Sequence, residues 1–243
     1  MSEFNQSQVY ASEAQGLKAY ITNVLIKMGI AVTITAVVAF AGYLSLVNRG
    51  FLFRMLMSGT GSFLYIVMMI AQFGICIFLS AKITSMQTST ATALLYAYAA
   101  ITGITFSILP TAFDVATVFM AFAFAAVMFF SCAVIGHTTN VDLSKFSGLL
   151  VGGLIALIIA TIASLFIPVL RDSLIISYIG VILFLVLTAW DMQRIKQFYY
   201  GTQGGMGTLG GNLAVYGAFQ LYLDFINIFL YVLRILGSRS NRK

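Results

Sequence analysis

Two aspartates stand where charge is costly. Asp191 closes an apolar run in LTAWDMQRIKQ, and Asp224 sits near the middle of QLYLDFINIFLYVLR. An Asp at the centre of a membrane helix costs roughly 2.5–3.5 kcal/mol on insertion scales, so it needs a partner or a function. Tyr216, Gln220, Asp224, Asn227, Tyr231 and Arg234 follow at intervals of 4, 4, 3, 4 and 3, which places them on one stripe of a helix. Leu223, Phe225, Ile226, Phe229, Leu230 and Val232 fall away from that stripe, where they can meet lipid or neighbouring helices. In the preceding run Thr188, Asp191 and Arg194 recur at intervals of three, so Arg194 is placed to pair with Asp191. The polar stripe reads either as interhelical glue or as a functional path. If the two carboxylates meet inside a bundle they cannot both ionise comfortably, and a proton shared between them makes a proton-sensitive latch.

The other reactive side chains have plainer explanations. Glu3 and Glu13 lie in a polar N-terminal segment, and Asp114, Asp142 and Asp172 lie in short loops, where a surface or helix-capping role is expected. Cys76 and Cys132 lie inside apolar runs and read as packing thiols, with no C-x-x-C and no disulfide framework. His137, the only histidine, stands beside Thr138, Thr139 and Asn140 and reads as a headgroup or loop residue. One His and two distant Cys cannot assemble an ordinary zinc site, so neither a tight metal centre nor a cofactor is expected. No G-x-S-x-G is present, and a hydrolase elbow has no support. An intramembrane aspartyl protease also carries one Asp on each of two consecutive spans, but with G-x-G-D at the second, where residues 221–224 read Leu-Tyr-Leu-Asp. A retinal protein needs a Schiff-base Lys that the seventh span lacks. The expected function is therefore not enzymatic.

The elements that must hold these residues follow from composition. Of 243 residues, 60% are from AVILMFWYC and 8% are charged, against roughly 25% charged in a soluble domain. This is the composition of a membrane protein. Apolar runs place spans near 24–47, 63–81, 91–109, 115–136, 147–170, 174–192 and 213–236. They are long and continuous, which favours helices over the alternating strands of a barrel. The expected architecture is an all-α membrane protein: a compact bundle of seven transmembrane helices over 24–237, after a polar segment 1–23 and before a basic tail 238–243. Short links at Pro110 to Asp114 and Arg171 to Ser173 imply antiparallel neighbours. The longer segment Gln193 to Asn212 holds six glycines between Gly201 and Gly211 and reads as a flexible linker, since no Lys-Ser/Thr follows to make a phosphate loop. Gly148 and Gly152 form a G-x-x-x-G, expected to pack within the chain in preference to a dimer contact. The oligomeric state stays open.

Charge gives less. The net +6 comes from 13 Lys+Arg against 7 Asp+Glu, scattered through loops, which suits topology signals and lipid headgroups and argues against nucleic acid. The polar N-terminus has no signal-peptide h-region, so the first span directs insertion. With seven spans, Lys18, Lys27, Lys82, Lys145, Arg194 and Lys196 oppose Arg49, Arg54, Arg171, Arg239, Arg242 and Lys243, a tie. A last segment that entered and returned would favour a cytoplasmic N-terminus, which seven spans also permit and which is adopted here.

SYIGVILFLVLTAWDMQRIK (177–196) and LYLDFINIFLYVLRILG (221–237) resemble the Bax inhibitor motif family in its bacterial branch, with weaker likeness at QGLKAY (15–20), AITGITFS (100–107) and TTNVDLSKF (138–146). The resemblance implies a seven-helix protein of the bacterial cytoplasmic membrane that passes calcium in a pH-dependent leak, with the family's paired aspartates at Asp191 and Asp224. On that reading the pair closes the pore when it shares a proton and opens it on full ionisation. Arg194, Gln220 and Asn227 support the pair. Calcium takes 6–8 oxygen ligands, so two carboxylates with Gln220, Asn227 and water offer a transit site and not a tight store. One departure concerns the second helix: some members carry a Glu there and a basic cluster at its end, where this chain has Gln72 and a single Lys82 as weaker gate candidates. Bacterial members are also linked to a membrane-bound AAA protease as modulators or substrates. That implies a second, partner-binding role, with the polar N-terminus as the handle.

Overall fold

A computed structural model of the chain describes residues 2–58, 61–167, 169–170 and 173–240. All regular structure among them is helical. The elements are α1 (Ser2–Val47), α2 (Phe51–Met57), α3 (Gly61–Lys82), α4 (Thr88–Phe106), α5 (Leu109–Ala112), α6 (Val115–Thr138), a 3-10 turn (Leu143–Phe146), α7 (Ser147–Phe166), α8 (Ile175–Gly201) and α9 (Gly207–Ser240). Among the described residues, seven segments are long and apolar enough to cross a membrane: Ser12–Val47, Phe63–Lys82, Thr88–Ala112, Val115–Thr138, Leu143–Ser164, Ile175–Gly201 and Gly207–Ser238. The chain is an all-α, multi-pass membrane protein.

The helices outrun their expected ends. α1 begins at Ser2, so the polar N-terminal segment is continuous with the first span. The segment Gln193 to Asn212 is not a flexible linker. Residues 181–200 contain neither Gly nor Pro, so nothing stops α8 before Gly201, and Ile195 and Tyr199 keep burying apolar surface one turn apart. Only residues 202–206 turn. Its glycines serve geometry: Gly204, Gly205 and Gly207 take φ of 89°, 74° and 71°, which other residues rarely adopt. Gly210 packs on the backbone of Gly205, leaving no room for a Cβ.

Two loop acids cap helices as expected. Asp114 accepts from Ala116 N at 2.8 Å and from Thr117 N at 3.2 Å at the start of α6, and Asp142 accepts from Ser144 N at 3.0 Å. Arg171, Asp172, Arg242 and Lys243, used above for a link and for orientation, lie outside the described residues. Gly148 and Gly152 correct an expectation, because a Cβ on either would meet nothing within 4 Å. Among the described residues no helix approaches closely there; Leu149, Ile155, Ile159 and Ile162 of the same helix are also exposed.

The chain divides into two units. The first holds Met1–Ala112 and Ile195–Tyr222, the second Phe113–Arg194 and Leu223–Lys243, so α8 and α9 each contribute to both. In the first unit α1 packs along α4. Thr35 donates to Ala99 O at 2.9 Å, and Gly103 lets the two backbones approach where a Cβ would strike Val38 and the Thr35 carbonyl. Gln72 of α3 donates to Thr102 of α4 at 2.8 Å. Tyr98 meets Phe219 and Tyr222 of α9 in T-shaped pairs, at centroid distances of 5.2 and 5.9 Å. In the second unit Phe122 and Phe129 of α6 meet Phe225 edge to face at 5.3 and 5.8 Å.

Candidate functional site

The site lies in the second unit, on the part of α8 up to and including Arg194 and the part of α9 after Tyr222. Ser177, Val181, Phe184, Thr188 and Asp191 recur at 4, 3, 4 and 3 and form one buried stripe of α8. The facing register is fixed from the far end. Arg234 donates to the Ser173 carbonyl at 3.5 Å, the Tyr231 ring stacks on Phe184 at 6.1 Å, and Gly180 leaves the space in which that ring sits. Rising numbers on one helix pair with falling numbers on the other, so the two run antiparallel. That register brings Asp224 beside Thr188 and Asp191, close enough for the carboxylates to interact as like charges.

Both carboxylates are deep, each aspartate being 5% exposed. They are not equivalent. Asp191 has a cationic partner, Arg194 Nη1, at 3.4 Å from Oδ1. Asp224 has Thr188 alongside, yet its Oδ2 is buried with no hydrogen-bond partner among the described residues. A buried, unpaired carboxylate oxygen is expensive, so it marks a place for a proton, a cation or a bound water.

The surroundings of Asp191 hold residues that spacing alone does not single out. The Arg194 guanidinium lies over the Trp190 ring, 4.8 Å from its centroid. Gln193 donates to Val141 O at 2.7 Å and accepts from Leu143 N at 3.0 Å, tying the link after α6 to α8. Gly136 of α6 rests on the Ala189 backbone so closely that a Cβ would overlap it. Its signal in sequence is a lone glycine in an apolar span.

Other candidates fall elsewhere. Asn227 donates to Leu223 O of its own helix at 2.8 Å. Gln220, Gln72 and Lys82 belong to the first unit, where Gln72 holds Thr102 and Lys82 is exposed at the end of α3. The polar stripe of α9 is not a single inward face with an apolar face opposite. Of its members only Asp224 is buried, while Phe225, Ile226, Phe229 and Val232 are buried too, because packing surrounds most of the helix. Cys76 and Cys132 are free and half-buried. Among the described residues no three His, Cys, Asp or Glu side chains gather as a metal cluster.

The family described as inhibitor of apoptosis-promoting Bax1 matches residues 17–241, a stretch that contains both aspartates and Arg194. The chain belongs to the Bax inhibitor family. Relatives in this family cover nearly its whole length. The inner membrane protein YbhL of Escherichia coli is 32% identical over 239 residues, 98% of this chain and 100% of its own. An uncharacterised protein of Rickettsia prowazekii is 33% identical over 227 residues, 93% of this chain and 92% of its own. One from Borreliella burgdorferi is 34% identical over 214 residues, 88% and 89% respectively. As a Bax inhibitor family member, the chain keeps its buried acid pair inside the matched region.

Proposed function

We propose that this Bax inhibitor family protein is a pH-sensitive cation leak, with calcium as cargo, gated by Asp191 and Asp224. The observation that carries the reading is the buried Asp224 Oδ2, without a partner among the described residues, next to a second carboxylate that already has one. With one proton between them the carboxylates hold α8 and α9 together and the path is closed. With both ionised they repel, and a cation is required between them. Two carboxylates supply too few of the oxygens calcium needs, so water completes the shell and the ion passes on. The protein works as a channel and not as an enzyme. It sits in the cytoplasmic membrane, as the name of its Escherichia coli relative suggests, with its N-terminus in the cytoplasm.

Calcium flux into proteoliposomes at several pH values tests this. Flux should rise with pH, and Asp191→Asn and Asp224→Asn should each remove that dependence. Flux indifferent to both substitutions, together with co-purification of a membrane-bound AAA protease that persists in Asp224→Asn, would favour a regulator of membrane-protein quality control instead.

A further inference from the structure

Three buried side-chain polar atoms lack a hydrogen-bond partner among the described residues: Ser177 Oγ, Trp190 Nε1 and Asp224 Oδ2. All three belong to the second unit, on α8 and α9. Ser177 is fully buried and begins the stripe of α8 that ends at Asp191. Other buried hydroxyls of this unit turn back onto their own helix: Thr188 donates to Phe184 O at 2.8 Å, and Ser164 to Thr161 O at 2.7 Å. Ser177 makes no such bond. The carbonyl four residues back belongs to Ser173, ahead of the first residue of α8, and it accepts from Arg234.

Ser177 and Asp191 lie about 21 Å apart along α8 by helical rise, most of a hydrocarbon core roughly 30 Å thick. Between them that face carries Thr188, whose proton is committed, and then Phe184 and Val181, whose side chains offer no oxygen. The Tyr231 ring fills the interval: it stacks on Phe184 and takes the space that a Cβ on Gly180 would need. Its hydroxyl reaches Thr161 at 3.5 Å, the long limit of a hydrogen bond, so the ring is lightly held. We propose that Ser177 is a second station for water and a hydrated cation, on the α8 face that carries Asp191, with Tyr231 as a movable plug between the two. The proposal rests on the leak reading above and goes on to name where the ion moves after the carboxylates. Ser177 Oγ offers lone pairs to the ion and orients the water that completes its shell. The hydroxyl carries no charge, so the ion is held weakly there and passes on.

Cysteine accessibility reads this directly. Ser177→Cys, in a background of Cys76→Ala and Cys132→Ala, is treated in proteoliposomes with water-soluble methanethiosulfonates of positive and of negative charge. Ile176→Cys is the control, since Ile176 is buried at the same depth but off the stripe. Ser177→Cys should react faster than the control, and about tenfold faster with the cationic reagent than with the anionic one, the low end of what a charged cleft does to local ion concentration. Its modification should block calcium flux. Without the cysteine background, Ser177→Ala should lower calcium flux about threefold, the scale of one hydrogen bond, and Tyr231→Ala should raise it. A Ser177→Cys that reacts no faster than Ile176→Cys, or without preference for the cation, overturns the proposal. So does calcium flux unchanged in both Ser177→Ala and Tyr231→Ala. A wild type that passes no calcium overturns the leak reading, while the labelling still decides whether water and cations reach Ser177.

Discussion

The side-chain amide of Asn212 donates to the carbonyl of Ile83 at 2.7 Å. The same nitrogen donates to Met86 O at 2.8 Å, and Thr88 donates its hydroxyl to the Asn212 oxygen at 2.7 Å. One fully buried side chain therefore closes the turn between α3 and α4 onto the start of α9. Asn212→Ala strands the Ile83 and Met86 carbonyls, whereas the Thr88 hydroxyl keeps the Thr208 carbonyl as a partner at 3.4 Å. Each buried group left unsatisfied costs about 1–3 kcal/mol, so unfolding in detergent should shift by at least one such increment. Asn212→Asp, which keeps an acceptor for Thr88 but loses both donors, should recover little. Wild-type stability in both variants would show that the clamp carries no weight.

Tyr222 and Thr35 join α9 to α1 through hydroxyls 2.8 Å apart. Thr35 also donates to Ala99 O, so it can accept from Tyr222. A cycle of Tyr222→Phe, Thr35→Val and the double variant should give a coupling of about 0.6 kcal/mol, with about 1.7 as an upper bound for hydrogen bonds between membrane helices. Additive losses would mean that the two hydroxyls act separately.

Gly136 and Gly148 make a matched pair of tests. Gly136→Ala drives a methyl into the Ala189 backbone beside Asp191, whereas Gly148→Ala projects into open space. The first should cost about 1–3 kcal/mol through overpacking, and the second should be neutral or stabilising by up to about 1 kcal/mol from helix propensity. Equal thermal midpoints for the two would contradict the close approach of α6 to α8.

Asp114 gives a pH prediction outside the spans. The Thr117 hydroxyl, then the Ala116 and Thr117 amides, hold its carboxyl below the usual 3.8. A folded value below the unfolded one means that the stabilisation is complete above about pH 4 and fades as pH falls through the lowered folded value. Asp114→Asn should flatten that part of an acid stability curve measured in detergent. An unchanged acid limb would show that the cap does not titrate with folding.

Seven spans were legible because about twenty apolar residues in a row admit few other structures. Asp191 and Asp224 were legible for the complementary reason, that charge inside such runs is rare and costly. The ends of α8 and α9 were not. Arg194, Lys196 and a glycine cluster resemble a loop, but a helix can carry polar residues beyond the bilayer as long as Ile195 and Tyr199 stay buried. Asn212, Gln193 and Gly136 were missed because most of their partners are backbone groups, which leave no trace in residue type. The reverse failure is Gly148 and Gly152: the spacing permits close packing but does not supply a neighbour.

The pH profile of calcium flux through Asp224→Asn, beside wild-type protein in the same proteoliposomes, tests the gate most directly. The neutral amide keeps the size of the side chain and removes the charge whose repulsion opens the path. Wild-type flux should climb as pH rises, and the variant should stay low and flat, with at least a tenfold difference at the alkaline end, the scale of about 1.4 kcal/mol. A variant that follows the wild-type curve would contradict gating by the Asp191 and Asp224 pair.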